Sequence, residues 1–484
     1  MTATNNDLNL KEKGYFKPAL AFFFNTIVVI IVMLSFLTAK CGGVKETFNY
    51  AISNTKLTVF VLFSVILLSV VAYLYFLNQN KQIFFRPKKI TMIYTAVILS
   101  MIACYLFGMI SVYLRPVSLC ALFILILVDK RTAVFMNCVF ALLMMLTDLL
   151  CVSFAGSGNY VLVSLVICFA TGMFSVFLVD GEGSRGKVLV MGFIISLPVI
   201  ISSAVMEFTL SLNTMLFPVL FALGSGLVST ALMTVVLPAF EVAFGALTNF
   251  RLTELTDHKA KLIKELSLSA PGTFSHTIIV AMLAEACGNA IGENPLLIRA
   301  CAYYHDMGKL KNPEMFTENQ TGKNPHDALS PELSTDIIRS HAKDGAELIR
   351  KRRLPEAFAE AAEQHHGTLP IRYFYMKASK FTDGKLALDN FSYYGPKPQN
   401  KINAIIMICD ACEAKVRSVS NRTHENVDKA VKEIIEERMD MDQFNECDIT
   451  FQELGVIRNT ITNTLSGVYH DRVKYPKLKS GGRR

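Results

Sequence analysis

Leu296-Leu297-Ile298-Arg299-Ala300-Cys301-Ala302-Tyr303-Tyr304-His305-Asp306-Met307-Gly308-Lys309 is the stretch from which the rest of the chain can be read. Its opening residues are an apolar helix, started by the cap-plus-proline pair Asn294-Pro295. An imidazole and a carboxylate then fall at the helix end. A His-Asp pair alone is a weak signal, because helix ends often carry groups that hydrogen-bond at the surface. In His-Asp-x-Gly-Lys after an apolar helix it is strong, because a half-buried carboxylate is costly without a partner.

Other residues of the same kind lie on both sides: His276, His341, His365-His366 and Asp410. The chain has nine His in 484 residues, and five of them belong to this set. Asp410 interrupts the apolar run Ala404-Ile405-Ile406-Met407-Ile408-Cys409, where an ionised carboxylate needs a cation or a metal. A structural pairing with Arg or Lys is the plainer alternative. Adjacent His on a helix point about 100° apart, so the 365–366 pair serves one ion only at an irregular turn, which Gly367 supplies. Singly, each His is more often a packed or surface residue; together they can close two adjacent sites of imidazole and carboxylate. Such sites suit two divalent ions, Fe or Mn, better than structural Zn. A two-metal site of this kind hydrolyses phosphate esters. The Cys409/Cys412 pair around Asp410 reads as incidental, since no second Cys-x-x-Cys exists.

The first half of the chain is different. Hydrophobic residues make up 52% of the whole, Trp is absent, and the mean hydropathy of +0.38 is that of a membrane protein. The net charge of +8 divides as +6 before residue 251 and +2 after it. The basic balance is therefore mostly loop charge beside membrane helices, and no nucleic-acid polymer is expected as a partner. Eight apolar runs can cross a bilayer: 18–38, 57–78, 90–111, 113–128, 132–154, 160–179, 188–209 and 214–245. Lys11, Lys13 and Lys17, then Lys81, Arg86, Lys88 and Lys89, then Lys130 and Arg131, then Arg185 and Lys187 mark one side. Lys40, Lys45, Lys56 and Arg115 mark the other. The positive-inside rule makes both termini cytoplasmic in a multi-pass protein of the cell membrane. A cleaved signal is the alternative for the first run, but Lys40 beside Cys41 argues against a lipoprotein site. Asp148 and Glu207 read as interfacial charges that reach water or a partner, rather than as ion or ligand contacts.

The expected fold is all-α. It comprises a cytoplasmic N-terminus (1–17), a transmembrane domain (18–245), a connector helix (246–272), a helical catalytic domain (273–476) and a disordered tail (477–484). Leu252, Leu255, Leu262 and Leu266 give the connector its helical spacing. A short extended piece is expected near Phe391–Tyr394.

The order His…His-Asp…His…His-His…Asp resembles the HD-domain phosphohydrolase superfamily. The surrounding sequence is closer still to the membrane-bound seven-transmembrane-HD (PgpH-type) cyclic-di-AMP phosphodiesterases. The segments that carry the resemblance include Ala270-Pro271-Gly272-Thr273-Phe274-Ser275-His276, Glu318-Asn319-Gln320, Asn324-Pro325-His326-Asp327, Gln364-His365-His366-Gly367-Thr368 and Tyr394-Gly395-Pro396-Lys397-Pro398. It extends to Gln443-Phe444 and Tyr469-His470, and more loosely to the membrane half. Two departures stand out. Ser275 replaces a common His beside the metal-matching His276. The outer loop near 39–56 is too short for the sizeable extracellular domain that such proteins typically carry, so a ligand sensed there by the family is not expected to be sensed in that way here.

The resemblance implies one ion held by His276, His305, Asp306 and Asp410, and another by Asp306, His341, His365 and His366. Asp306 would bridge ions about 3.5–4 Å apart. It implies in-line attack of an activated water on phosphorus and hydrolysis of cyclic-di-AMP to pApA. Lys309 is a candidate phosphate contact and catalytic residue. Arg372 and Lys377 are weaker candidates for the second phosphate or an adenine. Other readings stay open. Another cyclic dinucleotide is one, although the Gly-Tyr-Pro signature of cyclic-di-GMP enzymes is missing after the His pair. A non-catalytic nucleotide receptor is a second, disfavoured by the intact ligand set. A transporter is a third, disfavoured by the lack of repeats. A homodimer is an open arrangement.

Overall fold

The structure, a computed structural model, describes residues 14–151, 159–206, 212–380 and 386–468. They fall into two compact units that divide between Phe250 and Arg251. Among the described residues helix is the only regular structure, and the extended piece near Phe391 is reduced to one bridge between Pro370 and Ser392. Glu207, Lys11, Lys13, Tyr469-His470 and the 477–484 tail lie outside the described residues.

Among the described residues the first unit holds seven long apolar helices, Phe16–Cys41, Thr55–Gln79, Pro87–Gly108, Lys130–Leu150, Val161–Val179, Arg185–Met206 and Leu216–Phe244. Each is long enough to cross a hydrocarbon core. Their outward faces carry Phe23, Phe63, Phe177 and Phe217, all exposed, as a lipid-facing surface requires. The fourth expected crossing, 113–128, is not one helix. A 3-10 turn at Val112–Leu114 leads into Arg115-Pro116, and helix resumes only at Leu119–Leu127. Pro116 lacks the donor a continuous helix needs. Nine helical residues rise about 14 Å, so a crossing here needs the 3-10 turn and the Arg115-Pro116 bend as well as the helix.

Arg115 is also not a loop charge open to water. It is buried, its Nη1 lies 2.7 Å from Asp148 Oδ2, and it reaches Ser164 Oγ at 3.3 Å. Asp148 therefore has its partner inside the helix bundle. The short loop near 39–56 itself contains a helix, Val44–Ser53.

The expected connector, 246–272, is two helices rather than one. Asn249–Leu255 ends in a turn, and α1 (Lys261–Ser269) begins after Asp257 and Ala260 close that turn. Leu252, Leu262 and Leu266 are buried in the core of the second unit, so the apolar stripe is there to pack. α2 (Pro271–Ile291) opens on a proline and ends at Gly292, whose φ of +79° suits a residue without Cβ. Although α2 is apolar enough to cross a membrane, it is the central core helix here. α3 (Pro295–Tyr304) is capped by Asn294, which accepts from the Leu297 amide at 3.1 Å. α4 (Pro331–Lys351), α5 (Glu356–Gln364), α6 (Arg372–Ser379), α7 (Lys401–Ser418), α8 (His424–Asp440) and α9 (Phe451–Val468) complete the unit. α2 packs on α3, α7 and α9; α4 packs on α5 and on the turn after α3.

Candidate metal centre

Each candidate ligand sits where a helix ends or where two helices touch. His305 and Asp306 leave the end of α3 and enter a 3-10 turn, Met307–Lys311. That turn lies against α4 because residue 308 is glycine: a Cβ there would stand 1.9 Å from the His341 carbonyl oxygen. His365 and His366 follow the end of α5, and Gly367, at φ +53°, makes the irregular turn their geometry needs. Asp410 comes from α7, directly after Ala404 to Cys409, all buried.

All seven predicted ligands come together. Asp306 is at the centre, 1% exposed, with one oxygen facing each group of imidazoles. Its Oδ2 is 3.3 Å from His305 Nε2 and 3.8 Å from His276 Nε2. Its Oδ1 is 3.5 Å from His341 Nε2 and 3.7 Å from His365 Nε2. Asp410 Oδ1 is 2.9 Å from His276 Nε2, and its Oδ2 is 3.8 Å from His366 Nδ1. Ligand atoms within 4.8 Å of one another fall into the sets His276–His305–Asp410, His305–Asp306–His365 and His341–His365–His366.

The tautomers aim the ring nitrogens inward. His305 Nδ1 donates to Ala302 O at 2.6 Å, His341 Nδ1 to Ile338 O at 2.5 Å and His365 Nδ1 to Ala362 O at 2.8 Å. A carbonyl only accepts, so each of these rings carries its proton on Nδ1 and keeps Nε2 for the interior. Burial lowers the pKa of His341 and takes His365 to about 3, with the nearby imidazoles adding to the effect on His365. Burial and then His365 likewise hold His366 well below the usual imidazole range. These three rings are neutral, as metal ligands must be. For Asp306, burial alone would raise the pKa, but Lys309 and His305 outweigh it and hold it well below the carboxylate range. His276 runs the other way: burial opposes its charge, yet hydrogen bonds to Asp410 and Glu413 raise it to about 9.

Both Asp306 oxygens and His305 Nε2 are buried without a hydrogen-bond partner. Such groups are costly unless something completes them. Lys309 Nζ does lie 2.8 Å from Asp306 Oδ2, as an ion pair outside hydrogen-bond geometry, and 2.8 Å from Glu318 Oε1. The imidazoles of His341, His365 and His366 and the carboxylates of Asp306 and Asp410 face inward unprotonated, a donor set that fits divalent cations. The buried thiols of Cys409 and Cys412 take no part in these sets.

Arg372 and Lys377 are not brought to the cluster. Arg372 pairs with Glu437 at 2.6 Å, and Lys377 donates to the His326 carbonyl at 3.3 Å. Two residues that the sequence did not single out do belong to the site's surroundings. Tyr393 stacks on His366 with ring centroids 4.3 Å apart, and Glu413 lies 2.5 Å from His276 Nδ1.

Residues 273–415 match the HD domain family, and residues 55–248 match the family described as 7TM receptor with intracellular HD hydrolase. The cyclic-di-AMP phosphodiesterase PgpH of Bacillus subtilis strain 168 is 38% identical over 375 residues, covering 75% of this chain and 51% of that protein. Its namesake from Listeria monocytogenes strain 10403S is 41% identical over 319 residues, covering 65% and 44%. The chain spans about half the length of the curated relatives it matches. The crystal structure of the L. monocytogenes PgpH HD domain in complex with cyclic-di-AMP is 46% identical, covers 44% of this chain and 100% of that one, and has a TM-score of 0.43.

Proposed function

Because the chain belongs to the seven-transmembrane receptors with an intracellular HD hydrolase, we propose that it is a membrane-anchored phosphodiesterase. In this reading it hydrolyses cyclic-di-AMP to the linear dinucleotide pApA and so lowers the level of that second messenger. The observation that carries the reading is the Asp306 carboxylate, buried and unsatisfied, with one oxygen toward His276 and His305 and the other toward His341 and His365. A single ion on the His276 side would leave Oδ1 among neutral imidazoles with no cation, whereas Oδ2 already has Lys309 at 2.8 Å. The chain's similarity to the cyclic-di-AMP phosphodiesterases of B. subtilis and L. monocytogenes supports the adenine dinucleotide as substrate.

Two divalent ions, Fe or Mn, would supply an activated water and neutralise charge on the non-bridging phosphoryl oxygens. His276, His305 and Asp410 would hold one, His341, His365 and His366 the other, and Asp306 both. Water adds to phosphorus as the bond to the ribose 3′ oxygen breaks, so one water is consumed and a 5′ phosphate is left. His366 and Asp410 are the ligands with side chains open to solvent, at 22% and 15%, which favours phosphate entry on their side. Lys309, held between Asp306 and Glu318, would add a fixed positive charge beside the phosphate.

For the membrane half we take eight crossings with both termini cytoplasmic. The matched seven-transmembrane segment, 55–248, contains six of the long apolar helices. It reaches seven only if the shorter Val112–Leu127 is counted, and Phe16–Cys41 then makes eight. Lysines and arginines concentrated in alternate loops support the orientation.

The test is to supply full-length, metal-free protein in detergent with Mn(II) or Fe(II), and to follow cyclic-di-AMP and cyclic-di-GMP side by side. Metal-dependent pApA with much slower cyclic-di-GMP cleavage is expected. Equal rates would remove the adenine preference, and metal binding without cleavage of either would favour a receptor.

A further inference from the structure

His276 is held differently from the other rings of the centre. His305, His341 and His365 each donate Nδ1–H to a carbonyl three residues back in their own chain. His276 instead lies between two carboxylates of α7, Asp410 Oδ1 at 2.9 Å from Nε2 and Glu413 Oε2 at 2.5 Å from Nδ1. Residues three apart on a helix share a face, so α7 presents both acids to one imidazole. Glu413 is 0% exposed. A fully buried glutamate is rare and persists only when paired. Arg417 Nη1, one turn further along α7, is 3.6 Å from Oε1 and is itself 43% exposed.

We propose that Glu413 is the positioning residue of one metal site. It would hold the His276 proton on Nδ1 and fix the ring so that Nε2 faces the ion shared with His305, Asp306 and Asp410. A carboxylate behind a ligating imidazole also raises its basicity, and loss of such a group typically weakens metal binding about 10- to 100-fold. The ring that Glu413 holds, His276, is a ligand assigned to the first ion and not to the second. Its effect should therefore fall on one of the two sites. This inference rests on the two-ion reading above.

The experiment titrates metal-free, full-length protein in detergent with Mn(II), and resolves the two dissociation constants by calorimetry and by the electron paramagnetic resonance of free Mn(II). For Glu413→Gln, one constant should rise about 10- to 100-fold while the other stays within about twofold, the intact site also reporting that the variant is folded. His276→Ala should lose the same site. Glu413→Asp, which keeps the charge on a shorter arm, should fall between Glu413→Gln and the unsubstituted protein. Unchanged constants in Glu413→Gln, or equal weakening of both sites, would overturn the assignment. Failure of the unsubstituted protein to bind two ions would instead overturn the two-ion reading, and this inference with it.

Discussion

His341 and His365 face each other Nε2 to Nε2 at 3.3 Å, with the Nδ1 of each already committed to a backbone carbonyl. Burial keeps both rings neutral. Two lone pairs thus point at one another in a buried place, which is favourable only with a cation near both. Asp306 Oδ1 stands at 3.5 and 3.7 Å from the same two nitrogens and supplies the matching negative charge. The contact is ion-binding geometry rather than packing.

Asp306→Asn should remove the bridging charge from both sites at once. Cyclic-di-AMP turnover is expected to fall at least about 10³-fold, about 4 kcal/mol of transition-state stabilisation. Far-ultraviolet circular dichroism should keep its helical signal. Turnover within tenfold of the unsubstituted protein would sink the bridging assignment.

Lys309 pairs with Asp306 and Glu318, both at 2.8 Å. If its charge serves the phosphate, Lys309→Met should lower kcat/KM by about 10²-fold while Mn(II) still binds. Loss of Mn(II) binding with no further loss of rate at saturating metal would make it a support for Asp306 alone.

Metal affinity should depend on pH through His276. Its pKa in the metal-free protein is raised to about 9. By itself this group stabilises the metal-free fold fully below its unfolded value near 6.5, and that contribution is lost as pH rises through about 9. An ion at Nε2 displaces the proton, so Mn(II) affinity should climb about tenfold per pH unit between roughly 6.5 and 8.5. The remaining rings with lowered pKa add no further slope there. Calorimetry at several pH values in that window checks it; a flat profile would contradict a protonated His276.

The buried Arg115–Asp148 pair makes a prediction for the membrane unit. Asp148→Ala strands a guanidinium that is only 5% exposed. The expected cost is about 3–5 kcal/mol, read as a lower Tm of detergent-solubilised protein. Arg115→Leu combined with Asp148→Leu should recover most of it. Additive losses in the double variant would mean that the pair does not act as a unit.

The clustered residues were legible in the sequence because several of them are polar groups set against an apolar background. Asp410 after Ala404 to Cys409 is the clearest case. Glu413 was not, because a glutamate late in a helix reads as a surface residue. The available signal was its position, one turn past Asp410 and beside the buried Cys412 and Val416. Arg115 was read as loop charge for a related reason: its partner is 33 residues away, and spacing does not tell which helices are neighbours. The broken crossing at 113–128 was visible in Pro116, but apolar length hid it. The turn at Asp257–Ala260 was hidden in the same way by the even spacing of the leucines around it.

The most direct test of the two-ion account is a titration of metal-free, full-length protein with Mn(II), measuring bound ion and cyclic-di-AMP cleavage in the same samples. The account predicts two ions per chain, with pApA formation rising mainly as the second equivalent fills. Full activity at one equivalent or fewer would contradict it.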